Sequence, residues 1–284
     1  MDKEKLYVVV DAATESQLLL ILEHFDPPFT CLYDESLPPE LLKVAPYLVE
    51  VTERVQLYLD EWKTPWGIYL STQADMKTLH RHLRKYLQVL LPDQDKPVFF
   101  RFYDPRNIWD FLNVLSDWEI HCFMGPIDKI ATCYQENIQR HDFLAIREQY
   151  PRGASSKRKL LSITPEQLEK IDAAFAERYV QTLAALIIEW ETIEGFDYVG
   201  YIRSLLTELG NIGITDDHSV RGILKLFFAQ RYLSIEYAPE RCKRILNDIY
   251  ENNFLYNIID NGKPTIQQWF PVLQNLLQHF TIFG

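Results

Sequence analysis

The stretch Leu6 to Ala12, LYVVVDA, decides the fold class. It is apolar on both faces and rich in β-branched residues, the pattern of a strand buried on both sides in a parallel or mixed sheet. Helical spacing follows from Thr14 to Phe25. Further strand-like runs stand at Phe29 to Tyr33, Tyr47 to Val51, Trp66 to Ser71, Val98 to Asp104 and Ile127 to Gln135, with a short turn of helix over Pro38 to Val44. Strands that alternate with helices predict an α/β lobe, a mixed or parallel sheet flanked by helices.

Between two of these strands, Asp75 to Leu91 reads as an amphipathic helix. Met76, Leu79, Leu83, Tyr86, Leu87 and Leu90 share one arc, and Lys77, Arg81, Arg84 and Lys85 share the other. The basic arc is a candidate partner contact, with an ordinary solvated face as the alternative.

The alternation stops near Tyr150, where PRGASSKRK supplies Pro, Gly, Ser and a charge run without periodicity, as an exposed linker does. Thr164-Pro165-Glu166-Gln167 then forms a capping box with proline at the first helical position, which starts a helix running to about Glu191. Further helices are expected over Tyr198 to Leu209, Asp216 to Leu233, Pro239 to Tyr250 and Thr265 to Phe280, the last trimmed or kinked at Pro271. The expected organisation is an α/β lobe over residues 1–149, a linker over 150–163 and an all-α lobe over 164–284.

The 284 residues carry a net charge of −11, which removes the positive footprint that general nucleic-acid binding requires. The opening MDKEKLYVVVDAATES has no cleavage pattern of a signal peptide, and no apolar run approaches a membrane span, so no stable membrane insertion is expected. Cys31, Cys122, Cys133 and Cys242 are scattered without a CxxC pair, which suits a reducing compartment and a cytoplasmic protein.

Candidate chemistry is sparse. The ten glycines form neither GxGxxG nor GxxxxGK[ST], so no phosphate-cradling loop and no cofactor is expected. Gly210 and Gly213 read as a helix C-cap and turn, and Asp216-Asp217-His218 as a helix N-cap. Asp93 and Asp95 have the DxD spacing of metal-dependent glycosyltransferases but sit beside Pro92 and Pro97, where aspartate forms turns. His80 and His82 are two apart on a helix and diverge, so they do not make a metal pair. No GxSxG serine or framed cysteine is present; no catalytic or metal-binding residue is assigned, and the expectation is a protein that is not an enzyme. The constellation of interest is Asp11 at the end of the first strand with Arg101, Asp104 and Arg106 in FFRFYDPR. An arginine within an aromatic run needs a carboxylate partner, either Asp11 or Asp104. The cluster is read either as an ion pair anchoring a strand-to-helix turn, with Asp104 capping and Pro105 opening the helix, or as a binding site at strand ends.

At these same residues the chain resembles the adaptor chaperones of bacterial type VI secretion. The resemblance runs over roughly residues 6 to 130. It is carried by YVVVDAA, LYDESLPPELLKVAPYLVEV, WGIYLST with Trp66 and Gly67, LHRHLRKYLQVLLPD, and VFFRFYDPRNIWDFL with Arg101, Phe102, Tyr103, Asp104, Pro105 and Arg106, ending in FMGPI. The helical segment from Leu160 resembles the extension these adaptors carry. The resemblance implies a non-enzymatic cytoplasmic protein that binds a toxic effector, through that effector's N-terminal part, and helps load it onto a VgrG-type spike protein. Phe227 with Phe228 and Trp269 with Phe270 are candidate contacts, since adjacent rings cannot share one narrow helical stripe: either the helix is buried on two sides or one ring faces a partner. The rival expectation is a metal-dependent transferase using Asp93 and Asp95 or the Asp11, Arg101 and Asp104 cluster.

Overall fold

The computed structural model describes residues 4–247 apart from residues 35, 152, 157–159 and 245. The chain divides into two compact units, Met1–Ala174 and Phe175–Gly284.

In the first unit, β1 (Lys5–Asp11), α1 (Leu18–Phe25), β2 (Phe29–Cys31), α2 (Pro39–Leu42), β3 (Pro46–Glu50), α3 (Glu53–Glu61), β4 (Gly67–Thr72) and α4 (Met76–Leu83) follow in order. Then come β5 (Gln88–Leu90), β6 (Val98–Phe99), α5 (Ile108–Val114), α6 (Asp117–Met124), β7 (Lys129–Tyr134), β8 (Asn137–His141), α7 (Leu144–Arg147) and β9 (Leu161–Ser162). Six strands form one sheet in the order β2-β3-β1-β4-β7-β8, and β6-β5-β9 form a smaller one.

The α/β reading holds. Every ladder of the larger sheet is antiparallel, and the parallel pairing is β5 with β9 in the smaller sheet. A doubly apolar β1 therefore marks cover on both faces rather than strand direction. Tyr7 and Val9 point into a cluster with Leu79 and Leu83 of α4, Phe111 of α5 and Phe123 of α6. Val8 and Val10 point the other way, onto Leu18 and Leu22 of α1 and Val55 and Leu59 of α3. Period-two alternation thus fills two cores from one strand.

Several expected boundaries move, each for a local reason. The helix predicted over Asp75 to Leu91 ends at Leu83; a 3-10 turn covers Arg84–Tyr86, and Gln88–Leu90 is strand β5. Its apolar arc is still buried at Leu79, Leu83, Tyr86 and Leu87, because the 3-10 turn that follows α4 keeps to the same core. The strand predicted over Val98 to Asp104 ends at Phe99, since the chain turns with the Asp104 amide bonded to the Arg101 carbonyl. Asp104 and Pro105 do not open the next helix. Asn107 stands before α5, which begins at Ile108. Likewise α1 starts at Leu18 rather than Thr14, because the amides of Thr14 and Glu15 both bond the Asp11 carbonyl in a turn.

The stretch 150–163 anticipated as a linker is tied into the first unit at its far end. Leu161 and Ser162 pair with Val89 and Leu90, Ile163 is buried in the same cluster as Tyr7, and the division falls later, inside α8 (Pro165–Trp190). The predicted capping box starts α8: Gln167 donates its amide to Thr164 Oγ1 at 3.2 Å, and the Thr164 amide donates to Gln167 Oε1 at 2.9 Å.

The second unit continues α8 and adds α9 (Tyr198–Asn211) and α10 (Asp217–Ala229). Among its described residues no strand occurs, as the sequence predicts. Asp216 caps α10 by accepting from the Ser219 amide at 2.8 Å. Gly213 takes a φ of 77°, and the Ile214 amide returns to the Leu209 carbonyl at 2.9 Å, closing α9 as the glycines foretell. Leu183, Ile187, Ile202, Leu205, Leu224 and Phe227 form its core. Trp269, Phe270 and the helix expected over Thr265 to Phe280 lie outside the described residues.

Candidate functional site

The motif residues gather where β1 ends. Asp11, 2% exposed, closes the strand: its amide bonds the Trp66 carbonyl at 2.8 Å, and its Oδ1 accepts from the Ala13 amide at 3.0 Å. Its Oδ2 accepts from Thr14 Oγ1 at 3.1 Å and from the guanidinium of Arg101, 90 residues away in sequence. Of the two carboxylates open to Arg101 from sequence, the partner is Asp11. The arginine side chain itself is 46% exposed, so burial in this pair falls on the acid.

Asp104 is the second buried carboxylate, 3% exposed, and its partner is Arg106. Arg106 Nε donates to Oδ1 at 2.9 Å and a terminal nitrogen to Oδ2 at 2.7 Å, a bidentate fork. The Arg106 amide also reaches Oδ1 at 3.0 Å, so the side chain folds a tight local turn. The fork holds the Arg106 guanidinium more firmly charged than usual, with Asp104 the main cause and Asp11 a smaller one. The Asp11, Arg101 and Asp104 cluster is therefore two neighbouring acid–arginine pairs.

Packing explains the rest of the motif. Phe102 and Tyr103 are buried beneath the pairs, with their rings 5.5 Å apart edge to face, and Phe102 meets Phe123 at 5.9 Å. Burial pushes the Tyr103 hydroxyl well above its ordinary pKa, with Tyr33 and Asp11 adding to it, so it stays neutral. The Arg101 guanidinium carbon lies 5.9 Å from the Tyr103 ring centroid, and the exposed Phe99 ring sits 5.8 Å from Tyr33. The result is a rim of two half-exposed cations, Arg101 and Arg106, and exposed aromatic surface over a buried base. Trp66 is buried against Trp62 and Tyr69 on the opposite face of the sheet. Gly67 is required by β1, because a Cβ there would overlap the Val9 carbonyl oxygen.

The remaining candidates are placed apart. Lys77, Arg81, Arg84 and Lys85 are all exposed, and Arg84 reaches Asp34 at 3.3 Å. His80 and His82 diverge as their spacing requires: His80 Nε2 meets the Cys31 carbonyl at 2.9 Å and His82 Nε2 the Phe123 carbonyl at 2.6 Å. Asp93 and Asp95 are exposed, and Asp93 is a turn residue with a φ of 58°. Among the described residues no group of three or more His, Cys, Asp or Glu is placed to hold a metal ion. Phe227 and Phe228 are both buried, so of the two readings of that pair the helix buried on two sides is the one realised, and neither ring is offered to a partner. Phe227 packs on Tyr232 and Phe228 on Phe196, Tyr198 and Tyr201.

One feature escapes the sequence reading. A cavity of about 1400 Å³ in the first unit is lined by His82, Lys85, Trp118, His121, Arg147 and Tyr150 among others. Trp118 and His121 stack at 5.6 Å and both meet the Tyr150 ring. An aromatic pair three apart on a helix was the available signal, and only the fold brings Tyr150 to it.

Residues 6–122 match the family described as Domain of unknown function (DUF4123). No curated protein and no solved structure matches the chain. Among the described residues no helix is long and apolar enough to cross a membrane.

Proposed function

We propose that the chain is an adaptor chaperone of the bacterial cytoplasm that acts by binding and performs no bond chemistry. It would take up a type VI secretion effector, through that effector's N-terminal region, and help load it onto a VgrG-type spike protein. The observation that carries this reading is the family match at residues 6–122, which covers most of the motif series on which the resemblance to those adaptors rests. The geometry is in keeping with it. Asp11 and the Asp104 of the FRFYDPR motif are engaged by arginines and brace loops, leaving Arg101, Arg106 and Phe99 as contact surface rather than a poised nucleophile or base.

Co-expression of the tagged full chain with the effector encoded beside its gene, and with the spike protein, tests the reading. Both partners should be retained together through size exclusion. Retention of neither overturns it. Turnover of a small molecule, abolished by Asp11→Asn or Asp93→Asn, overturns the non-enzymatic part.

A further inference from the structure

The two edges of the six-stranded sheet are finished differently. β2 has three residues, follows Pro27 and Pro28, and its Cys31 carbonyl is engaged by His80 Nε2 at 2.9 Å. A short edge with adjacent prolines and a side chain on its carbonyl resists further pairing. β8 has five residues, no proline, and every residue exposed, with Ile138 at 72%. Native sheets seldom leave such an edge unguarded without use.

The hydrogen-bond phase of β8 follows from its turn. Gln135 and Glu136, with φ of 51° and 62°, form a two-residue hairpin loop of the type I′ kind, so Tyr134 and Asn137 close it as a hydrogen-bonded pair. Alternation then makes Thr132 with Gln139, and Ile130 with His141, the other bonded pairs. The amides and carbonyls of Ile138 and Arg140 accordingly point away from β7. Among the described residues no backbone bond from outside the sheet ladders reaches them. The side chains of Ile138 and Arg140 share one face, two residues apart, as recognition of an added strand requires.

We propose that β8 is a strand-addition site that takes an extended segment of the effector, with an apolar residue opposite Ile138 and an acidic residue opposite Arg140. The inference rests on the adaptor reading above and names the surface that reading leaves open. The occupant follows from charge. Within β8 the ionisable residues are Arg140 and His141, with no acid; of the flanking acids, the Asp142 carboxylate is engaged by the Leu144 amide at 3.1 Å and Glu136 stands in the turn, four residues from Arg140. A second copy of this chain fits worse. Two-fold pairing about Gln139 sets the two Arg140 side chains on a diagonal of about 7–8 Å, between molecules that each carry a net charge of −11.

The test separates edge pairing from side-chain contact. Arg140→Pro removes an outward amide and leaves the bonded pairs with β7 intact, a substitution edge strands tolerate. Effector retained on the co-expressed chain should fall at least tenfold for Arg140→Pro and Ile138→Pro, with Arg140→Ala intermediate, while thermal unfolding stays near that of the wild type. In wild type, the amides of Ile138 and Arg140 should exchange fast in the free chain and become protected in the complex. This readout stands even if the proline variants do not fold. Wild-type chain that retains no effector overturns the adaptor reading and this inference with it. Undiminished retention by folded Arg140→Pro, or no gain of protection at Ile138 and Arg140 in a stable complex, overturns the edge site alone. Protection of those amides in a concentration-dependent dimer without effector assigns the edge to self-pairing and overturns the effector as occupant.

Discussion

Arg101 and Asp11 differ in burial, and that difference sets what their removal does. Asp11 is almost fully buried while Arg101 is nearly half exposed. Replacing Arg101 by alanine leaves an acid that keeps the Ala13 amide and Thr14 hydroxyl but loses its cation. The cost should be about 1–3 kcal/mol, below the several kcal/mol of a fully buried pair, because water can reach the vacated place. Urea unfolding measures it. A loss below a few tenths would mean that Asp11 does not depend on Arg101. If that variant also lost effector, the residue would be a contact rather than a brace. His82 gives a pH prediction. Burial pulls its pKa from 6.5 to about 4, helped by Lys85 and opposed by its bond to the Phe123 carbonyl. The unfolded chain therefore takes up a proton at higher pH than the folded one, so stability is full above about 6.5 and falls as pH drops toward about 4. The whole loss is roughly 3 kcal/mol, most of it gone by pH 4.5. His82→Gln should flatten the urea midpoint between pH 7 and pH 4.5. A wild-type slope no steeper than that of the variant would show that His82 is not the titrating group.

Single glycines set how closely neighbouring elements can approach. At Gly67 the obstacle is backbone, the Val9 carbonyl across the β1–β4 ladder, which cannot move without breaking the sheet. At Gly125, with a φ of 42°, an added Cβ would run into the His82 ring. Gly67→Ala should therefore leave no folded α/β unit. Gly125→Ala should fold with a loss of roughly 2 kcal/mol, since a side chain can give way but the left-handed backbone still strains. Circular dichroism of the two variants checks the order; a stable Gly67→Ala would contradict the packing described. These glycines stand in WGIYL and FMGPI, visible in sequence as motif residues but without a reason until the neighbouring strand and helix are in place. Elements bounded by local chemistry were legible. Thr164 with Gln167 starts α8, Gly213 closes α9 and Asp216 opens α10, because each uses groups within a few residues. Ends set by distant groups were not. The Asp75 to Leu91 periodicity runs on past Leu83 because the 3-10 turn over Arg84–Tyr86 stays on the same core through Tyr86 and Leu87. The Arg101 partner is open between two acids in sequence, Asp11 and Asp104, since a contact across 90 residues carries no periodic signal. Strand β8 is not legible in the sequence: a polar strand exposed on both sides has no hydrophobic alternation to read.

At the scale of the whole molecule, charge rather than core distinguishes the surfaces. The chain is acidic at −11, yet Lys77, Arg81, Arg84 and Lys85 stand exposed along α4 and the turn after it, with Arg84 drawn toward Asp34. A basic stripe on a chain of net negative charge is oriented: it draws an acidic partner toward one face, which acts mainly on the rate of encounter. Lys77→Glu with Arg81→Glu and Lys85→Glu, leaving the Arg84 and Asp34 pair intact, should slow effector association about tenfold at 50 mM salt. The difference should vanish near 1 M, where screening falls to about 3 Å. Dissociation should change little, which separates steering from the strand-edge contacts, whose loss speeds release. Stopped-flow or surface-capture kinetics across a salt series decides it. An association rate equal to wild type at every salt concentration would reduce the stripe to a solvated helix face, whereas a change confined to dissociation would make it part of the bound interface.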